Sequence, residues 1–196
     1  MAPEIGYFSL FLASILTSNI LLANFLGMCS FISISKDINS SNGLGMAVTL
    51  VLTITAGLNW AVLQLLESYG IVYLRFIVFI IVIAAVVQML EMIIDRVSQT
   101  LYMNLGIFLP LITVNCAILG VSLFMEIRDY SFIQSIVFGF GSGLGWWLAI
   151  MALSAIRKKV DKAPVPAGLK GAGITMITIG FMAMAFIGFS GMLQVQ

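Results

Sequence analysis

Two cysteines, Cys29 and Cys116, are the side chains best suited to bind a soft metal in a sequence that has no histidine. Each lies in a long apolar run beside asparagine and glycine, in segments 24–29 and 113–120. Thiolates are the ligands that iron-sulfur clusters and soft metals prefer. A cysteine pair in apolar sequence therefore points to electron transfer, although one chain supplies only half of a four-cysteine site.

Two other roles for the cysteine pair stay open on sequence alone. Free cysteine is among the most buried residue types, so both could be small core residues. A disulfide would require their Cα atoms to lie within about 7 Å and leaves the flanking asparagines and glycines unexplained. Metal ligation needs two further ligands, and because the chain has no third cysteine and no histidine, another polypeptide would have to supply them.

The composition is that of an integral membrane protein. Hydrophobic residues make up 61% of the sequence and charged residues 9%, whereas soluble domains have about 25% charged residues. The net charge of +1 gives no reason to expect nucleic acid as a partner. We expect a single membrane domain over residues 1–196, with function inside the bilayer or on short loops.

Six apolar runs are long enough to cross about 30 Å of hydrocarbon, which takes about 20 helical residues. They lack alternation and exceed the about 9–11 residues of a membrane β-strand. The sequence therefore predicts an all-α integral membrane protein with six transmembrane helices. The predicted spans are approximately 7–34, 44–66, 72–94, 101–125, 132–156 and 172–193.

Lysine and arginine concentrate on the first, third and fifth loops, and this bias predicts the orientation in the membrane. Loops that carry the excess of basic residues face the cytoplasm, so both termini are expected on the non-cytoplasmic side. The basic residues of the odd loops are Lys36, Arg96, Arg157, Lys158, Lys159, Lys162 and Lys170, and those of the opposite face are Arg75 and Arg128.

A weak internal repeat divides the chain into halves of approximately 1–98 and 99–196, each with three spans. Three spans per half force the two halves to enter the membrane from opposite sides, as in inverted repeats. The first span of each half holds a cysteine and a helix breaker, Gly27 in the first span and Pro110 in the fourth. Interrupted helices at matching positions predict a site near the membrane midplane.

Other polar side chains within the spans are candidates for an ion path. Glu91 is the one carboxylate inside a predicted span, and an intramembrane acid is by default a functional-site hypothesis; the alternative is an interfacial side chain paired with Arg96. Asn24, Asn115 and Thr113 could line such a path, although hydrogen bonding between helices is the commoner use of these groups.

The glycine-rich segment 139–145 resembles a phosphate-binding loop only in its glycine count, because it lacks a Lys-Ser pair and lies within a span. Small residues at every second position instead predict a close helix-packing face, with Trp146 and Trp147 beside it. The basic segment 157–170 is interpreted as a cytoplasmic anchor, with a docking surface for a soluble partner as the alternative.

Two motifs resemble a known family: segment 105–118, which reads LGIFLPLITVNCAI, and segment 25–29, which reads FLGMC. They are similar to the family that contains the E subunit of the sodium-translocating NADH:quinone reductase and the A subunit of the related Rnf ferredoxin:NAD oxidoreductase. The resemblance covers nearly the whole chain. Segments 128–132 and 138–146 favour the quinone reductase branch, with the Rnf branch as the alternative.

The resemblance implies six spans in two inverted three-helix halves and a homologous partner of opposite orientation, the D subunit. It also implies that each of these two proteins gives two cysteines, here Cys29 and Cys116, to a shared [2Fe-2S] or iron centre. The A, B, C and F subunits, the flavins, NADH and ubiquinone would belong elsewhere in a complex of the bacterial inner membrane that moves sodium outward.

A rival interpretation is a small ion transporter built from inverted repeats. In that protein the cysteines would only pack, and Glu91 or the asparagines would bind the ion. It would work without a partner, which separates it from an electron carrier.

Overall fold

The computed structural model of the protein describes residues 6–97 and 112–188, and in these ranges every regular element is helical. Short 3₁₀ turns at Val72–Leu74 and Ala167–Leu169 precede two of the α-helices. The α-helices of the described ranges are α1 Tyr7–Ile15, α2 Met28–Ile34, α3 Ile38–Tyr69, α4 Arg75–Val97, α5 Cys116–Ile127, α6 Phe132–Val160 and α7 Ala172–Ile187.

Three helical stretches are long and apolar enough to cross a membrane: Ile38–Tyr69, Val72–Ile93 and Phe132–Val160. Helices α5 and α7 are apolar but shorter, and their neighbouring residues 98–111 and 189–196 lie outside the described ranges. The prediction of an all-α membrane protein with several apolar helices is therefore confirmed.

The first predicted span is interrupted, as expected from Gly27. Helix α1 ends at Ile15 and α2 begins at Met28, so the two pieces are only about 14 and 10 Å long. Asn19 stabilises the break, because its amide donates to the Gly145 carbonyl at 2.8 Å and its Oδ1 accepts from the Leu21 backbone N–H at 3.1 Å. Neither piece is long enough to cross about 30 Å of hydrocarbon by itself.

A helix also begins inside the predicted fourth span. Helix α5 starts at Cys116 and runs for 12 residues to Ile127, which is about 18 Å. Pro110, the residue expected to interrupt this span, lies outside the described residues. The cysteine-bearing pieces α2 and α5 are thus both too short to cross the bilayer alone.

The first loop is shorter than predicted, because α3 begins at Ile38 and includes the polar segment 39–43. Asp37 caps this helix by accepting from the Ser40 backbone N–H at 3.0 Å. That hydrogen bond, with a second from the Ser40 hydroxyl, holds the pKa of Asp37 below its ordinary value of 3.8. Polar residues are compatible with a first helical turn that projects from the membrane, so the prediction of a loop to residue 43 was wrong.

The glycines of α6 form the predicted packing face, and they pack against two neighbouring segments of the chain. Gly139 and Gly143 face α3, where a Cβ on Gly143 would lie 2.7 Å from the Thr49 Cα. Gly141 and Gly145 face α1 and the break that follows it. Both neighbouring backbones therefore approach α6 more closely than any side chain would allow, which fixes the break against a rigid helix.

Contacts at the two ends of the bundle agree with the predicted alternation of loops. At one end Arg75, at the start of α4, forms an ion pair with Glu126 near the end of α5. At the other end Arg157 of α6 donates to the Ile32 carbonyl of α2 at 2.9 Å. The α3–α4 and α5–α6 connections therefore lie at one end of the bundle. The α2–α3 and α6–α7 connections lie at the other end.

Candidate metal centre

Both cysteines lie in the first turn of a helix that follows a break. Cys29 is the second residue of α2, whose N-cap is Gly27 in the left-handed conformation. Cys116 is the first residue of α5, whose N-cap Asn115 accepts from the Ala117 backbone N–H at 3.0 Å. The two cysteines thus occupy matching structural positions in the two halves of the chain.

The two breaks contact each other directly. The Gly27 backbone N–H donates to the Cys116 Sγ at 2.9 Å, across 89 positions of sequence. A Cβ on Gly27 would lie 3.0 Å from the Asn115 Oδ1 and 3.2 Å from the Ala117 Cβ. The first turns of α2 and α5 therefore pack against each other, which brings the segments that carry the two thiols to one place.

Both thiols are free, and both cysteines are exposed at the surface of the chain. The disulfide interpretation is therefore not borne out, and the interpretation as small core residues was wrong. The exposed face beside the thiols is apolar, since Phe25 is 51% exposed and Val114 is 75% exposed. A thiol pair on an apolar face is accessible to a ligand or to a partner protein.

A surface pocket of about 260 Å³ opens beside Cys116, between α4 and the start of α5. Its walls are mostly apolar, and a sulfur and a few polar groups lie along one side. The lining residues are Ile80, Ile83, Thr113, Val114, Asn115, Cys116 and Leu119. The arrangement presents one sulfur to a space that a small group or an apolar partner segment could fill.

Two buried N–H groups lie beside the contact between the breaks. Neither donates to an acceptor among the described residues. They are the side-chain amide of Asn115, which is 3% exposed, and the indole N–H of Trp146, which is 0% exposed. The indole nitrogen would lie 2.9 Å from a Cβ on Gly27. N–H dipoles that lack an acceptor stabilise negative charge nearby. The N-terminal end of α5, next to Cys116, has the same effect.

The polar residues predicted for an ion path divide into two groups. Asn24, Thr113 and Asn115 all lie in the breaks around the cysteines, where Asn24 is exposed, Thr113 lines the pocket and Asn115 caps α5. Glu91 lies apart from them on α4, partly exposed, and within the described residues it forms no ion pair with Arg96. A role in ion transport for any of these residues stays a prediction.

Arg157 is a structural residue that the sequence did not single out. It is only 8% exposed, and its guanidinium donates to the Ile32 carbonyl at 2.9 Å and to the Ser35 Oγ at 2.8 Å. These contacts hold the C-terminal end of α2, the helix that begins beside Cys29. The sequence carried no signal for this role, because Arg157 stands in a basic run with the exposed Lys158 and Lys159.

We expect Arg157→Ala to destabilise the protein by at least about 2 kcal/mol, because hydrogen bonds to a buried charged group contribute about 1.5–3 kcal/mol each. The exposed neighbour offers a matched control, since Lys158→Ala should change stability by no more than about 0.5 kcal/mol. Thermal unfolding of the detergent-purified protein measures both. Equal unfolding temperatures for the two variants would show that Arg157 is only another surface anchor.

Comparison with known proteins identifies the family. Residues 7–193 match the family model described as "Rnf-Nqr subunit, membrane protein". The chain belongs to the Rnf-Nqr family. This membership confirms the resemblance seen in the two cysteine-bearing motifs, and it agrees with the all-helical, apolar architecture.

Family members with high sequence identity to this chain are named as subunits of a quinone reductase. The chain is 54% identical over 192 residues to the E subunit of the Na(+)-translocating NADH-quinone reductase of Serratia proteamaculans. It is 55% identical to the protein of the same name from Yersinia enterocolitica and 53% identical to that from Proteus mirabilis. Each alignment covers 94% of this chain and 97% of the relative. These relatives thus belong to the branch that segments 128–132 and 138–146 favoured.

Proposed function

We propose that this chain is the E subunit of a Na⁺-translocating NADH:ubiquinone reductase in a bacterial inner membrane, and that it holds half of an intramembrane iron-sulfur centre. Cys29 and Cys116 are its two ligands, and a homologous D subunit supplies the other two. The observation that carries this proposal is that both thiols are free and exposed in the first turns of α2 and α5. The hydrogen bond from the Gly27 N–H to the Cys116 Sγ joins the starts of these two helices.

The ligand set fits an iron-sulfur centre shared between two proteins. A [2Fe-2S] cluster takes four ligands, commonly four cysteines. The described residues contain no group of three or more histidine, cysteine or acidic side chains that could hold a metal, and the full sequence has two cysteines and no histidine. Two thiolates from this chain and two from a partner would complete the site.

The surroundings of the thiols favour the negative charge that a thiolate-ligated cluster carries. The Gly27 N–H already donates to Cys116, and the buried donors of Asn115 and Trp146 lie beside the same contact. Ile80 and Leu119 contribute apolar walls to the pocket beside Cys116. When bound, the centre would accept and pass on single electrons, while Gly27 holds the Cys116 sulfur and the apolar walls border it.

We further propose the complete topology of six spans in two inverted three-helix halves, with both termini on the non-cytoplasmic side. The interrupted first span and the helix start at Cys116 support it, because the two cysteines occupy matching positions in both halves. The distribution of loops between the two ends of the bundle agrees with it. In this arrangement the breaks lie near the midplane, so the centre can relay electrons from NADH-reduced cofactors of the other subunits towards ubiquinone.

Purification in mild detergent tests the proposal against the rival ion transporter. The proposal predicts a coloured complex in which this chain co-purifies with the D subunit and with the A, B, C and F subunits. That complex should contain iron and flavin, reduce ubiquinone with NADH, and drive sodium uptake in vesicles. A colourless homo-oligomer of this chain that transports sodium by itself would contradict the proposal.

A further inference from the structure

The hydrogen bond between Gly27 and Cys116 makes the two cysteine sulfurs of this chain inequivalent. Cys116 Sγ accepts the Gly27 backbone N–H at 2.9 Å. Within the described residues, Cys29 has no corresponding hydrogen bond. An N–H donor stabilises negative charge on a ligating sulfur, and hydrogen bonds to the sulfurs are among the features that set a cluster's reduction potential.

Only glycine fits at position 27, for two independent reasons. Its φ of +84° lies in the left-handed region, which side chains with a Cβ rarely adopt. A Cβ there would also lie 2.9 Å from the Trp146 indole nitrogen and 3.0 Å from the Asn115 Oδ1.

Neither neighbour of Gly27 can withdraw cheaply. Trp146 is fully buried in the core. Asn115 is fixed by the hydrogen bond that its side chain accepts from the Ala117 backbone N–H. A side chain at position 27 would therefore push the α2 start away from α5, and with it the N–H that Cys116 accepts.

We propose that Gly27 is a positioning residue of the iron-sulfur centre: its backbone N–H orients the Cys116 sulfur and raises the reduction potential of the centre. This inference rests on the proposed function, since it assumes that Cys116 is a ligand. The reduced centre carries one more negative charge than the oxidised centre, so a donor aimed at a ligating sulfur stabilises the reduced form more.

The test compares Gly27→Ala with Gly70→Ala in the intact purified complex. Gly70 is a matched control, because its φ is +70° but nothing lies within 4 Å of its Cβ position. Redox titration of the electron paramagnetic resonance signal of the reduced centre should show a shift to lower potential for Gly27→Ala. The potential of Gly70→Ala should equal that of the unmodified complex.

A second measurement needs no substitution at the site. In the complex labelled with ¹⁵N-glycine, pulsed electron paramagnetic resonance should detect a weak ¹⁵N coupling to the reduced centre, and this coupling should persist in Gly70→Ala. If Gly27→Ala does not assemble, the absence of this coupling from the unmodified complex would overturn the proposal.

The two proposals fail in different ways. An unchanged potential in Gly27→Ala, together with loss of the centre in Cys116→Ala, would overturn the role of Gly27 and leave the iron-sulfur function intact. If Cys116→Ala instead retained the centre with its full iron content, the proposed function itself would fail.

Discussion

Replacing either Cys29 or Cys116 with alanine is expected to lower the NADH:ubiquinone reductase activity of the assembled complex by at least about 100-fold. Loss of a residue that merely supports a metal ligand already costs about 10–100-fold in metal affinity or activity, so loss of a ligand should cost more. Oxidation of NADH by an artificial electron acceptor should persist, because the sites that receive electrons from NADH are proposed to lie in the other subunits.

Met28→Leu is the matched control for Cys29→Ala. Met28 precedes the cysteine in the first turn of α2, and exchange of methionine for leucine conserves volume and usually costs less than about 1.5 kcal/mol. The control should keep most of the quinone reductase activity. If Cys29→Ala and Cys116→Ala were as active as Met28→Leu, the two thiols would have no place in the electron path.

Gly143→Val is expected to prevent the protein from folding. A Cβ at this position would lie 2.7 Å from the Thr49 Cα, and a backbone atom cannot rotate away as the end of a side chain can. Accommodation would require α3 and α6 to separate along their packed face. The smaller change Gly143→Ala should destabilise the protein by about 1–3 kcal/mol, the typical cost of overpacking.

Gly180→Ala provides the control for the packing prediction. Gly180 lies in α7 with nothing within 4 Å of its Cβ position, so alanine should be neutral or should stabilise the helix by up to about 1 kcal/mol. Size-exclusion chromatography after heating in detergent measures the folded fraction of each variant. A Gly143→Val protein that elutes and melts like Gly180→Ala would mean that α3 and α6 do not pack closely.

Local sequence chemistry predicted the features that depend on residue type. Asparagine and glycine in an apolar run indicated the break before Cys29, and the glycines of segment 139–145 indicated a close packing face. Both features are present, because a polar side chain in a span needs a hydrogen-bond partner and a missing Cβ lets a neighbouring backbone approach. The Asn115 cap of α5 was not predicted, although asparagine before an apolar run commonly begins a helix.

Features that depend on distant parts of the chain were not predictable. The contact of Gly27 with Cys116 spans 89 positions, and no local pattern specifies such a pairing. Arg157 looks like its lysine neighbours in sequence, and only the position of α2 buries it. The start of α3 at Ile38 is different, because the Asp37 cap that begins the helix is local; the polar segment 39–43 was interpreted as a loop and this cap signal was overlooked.

The central claim is that Cys29 and Cys116 ligate an iron-sulfur centre, and the iron content of the purified complex tests it most directly. Iron and acid-labile sulfide should be measured in the unmodified complex and in one that carries both Cys29→Ala and Cys116→Ala, at matched flavin content. The account predicts that the double variant lacks about two iron and two sulfide per complex, the content of one [2Fe-2S] cluster. Equal iron and sulfide in an assembled double variant would contradict it.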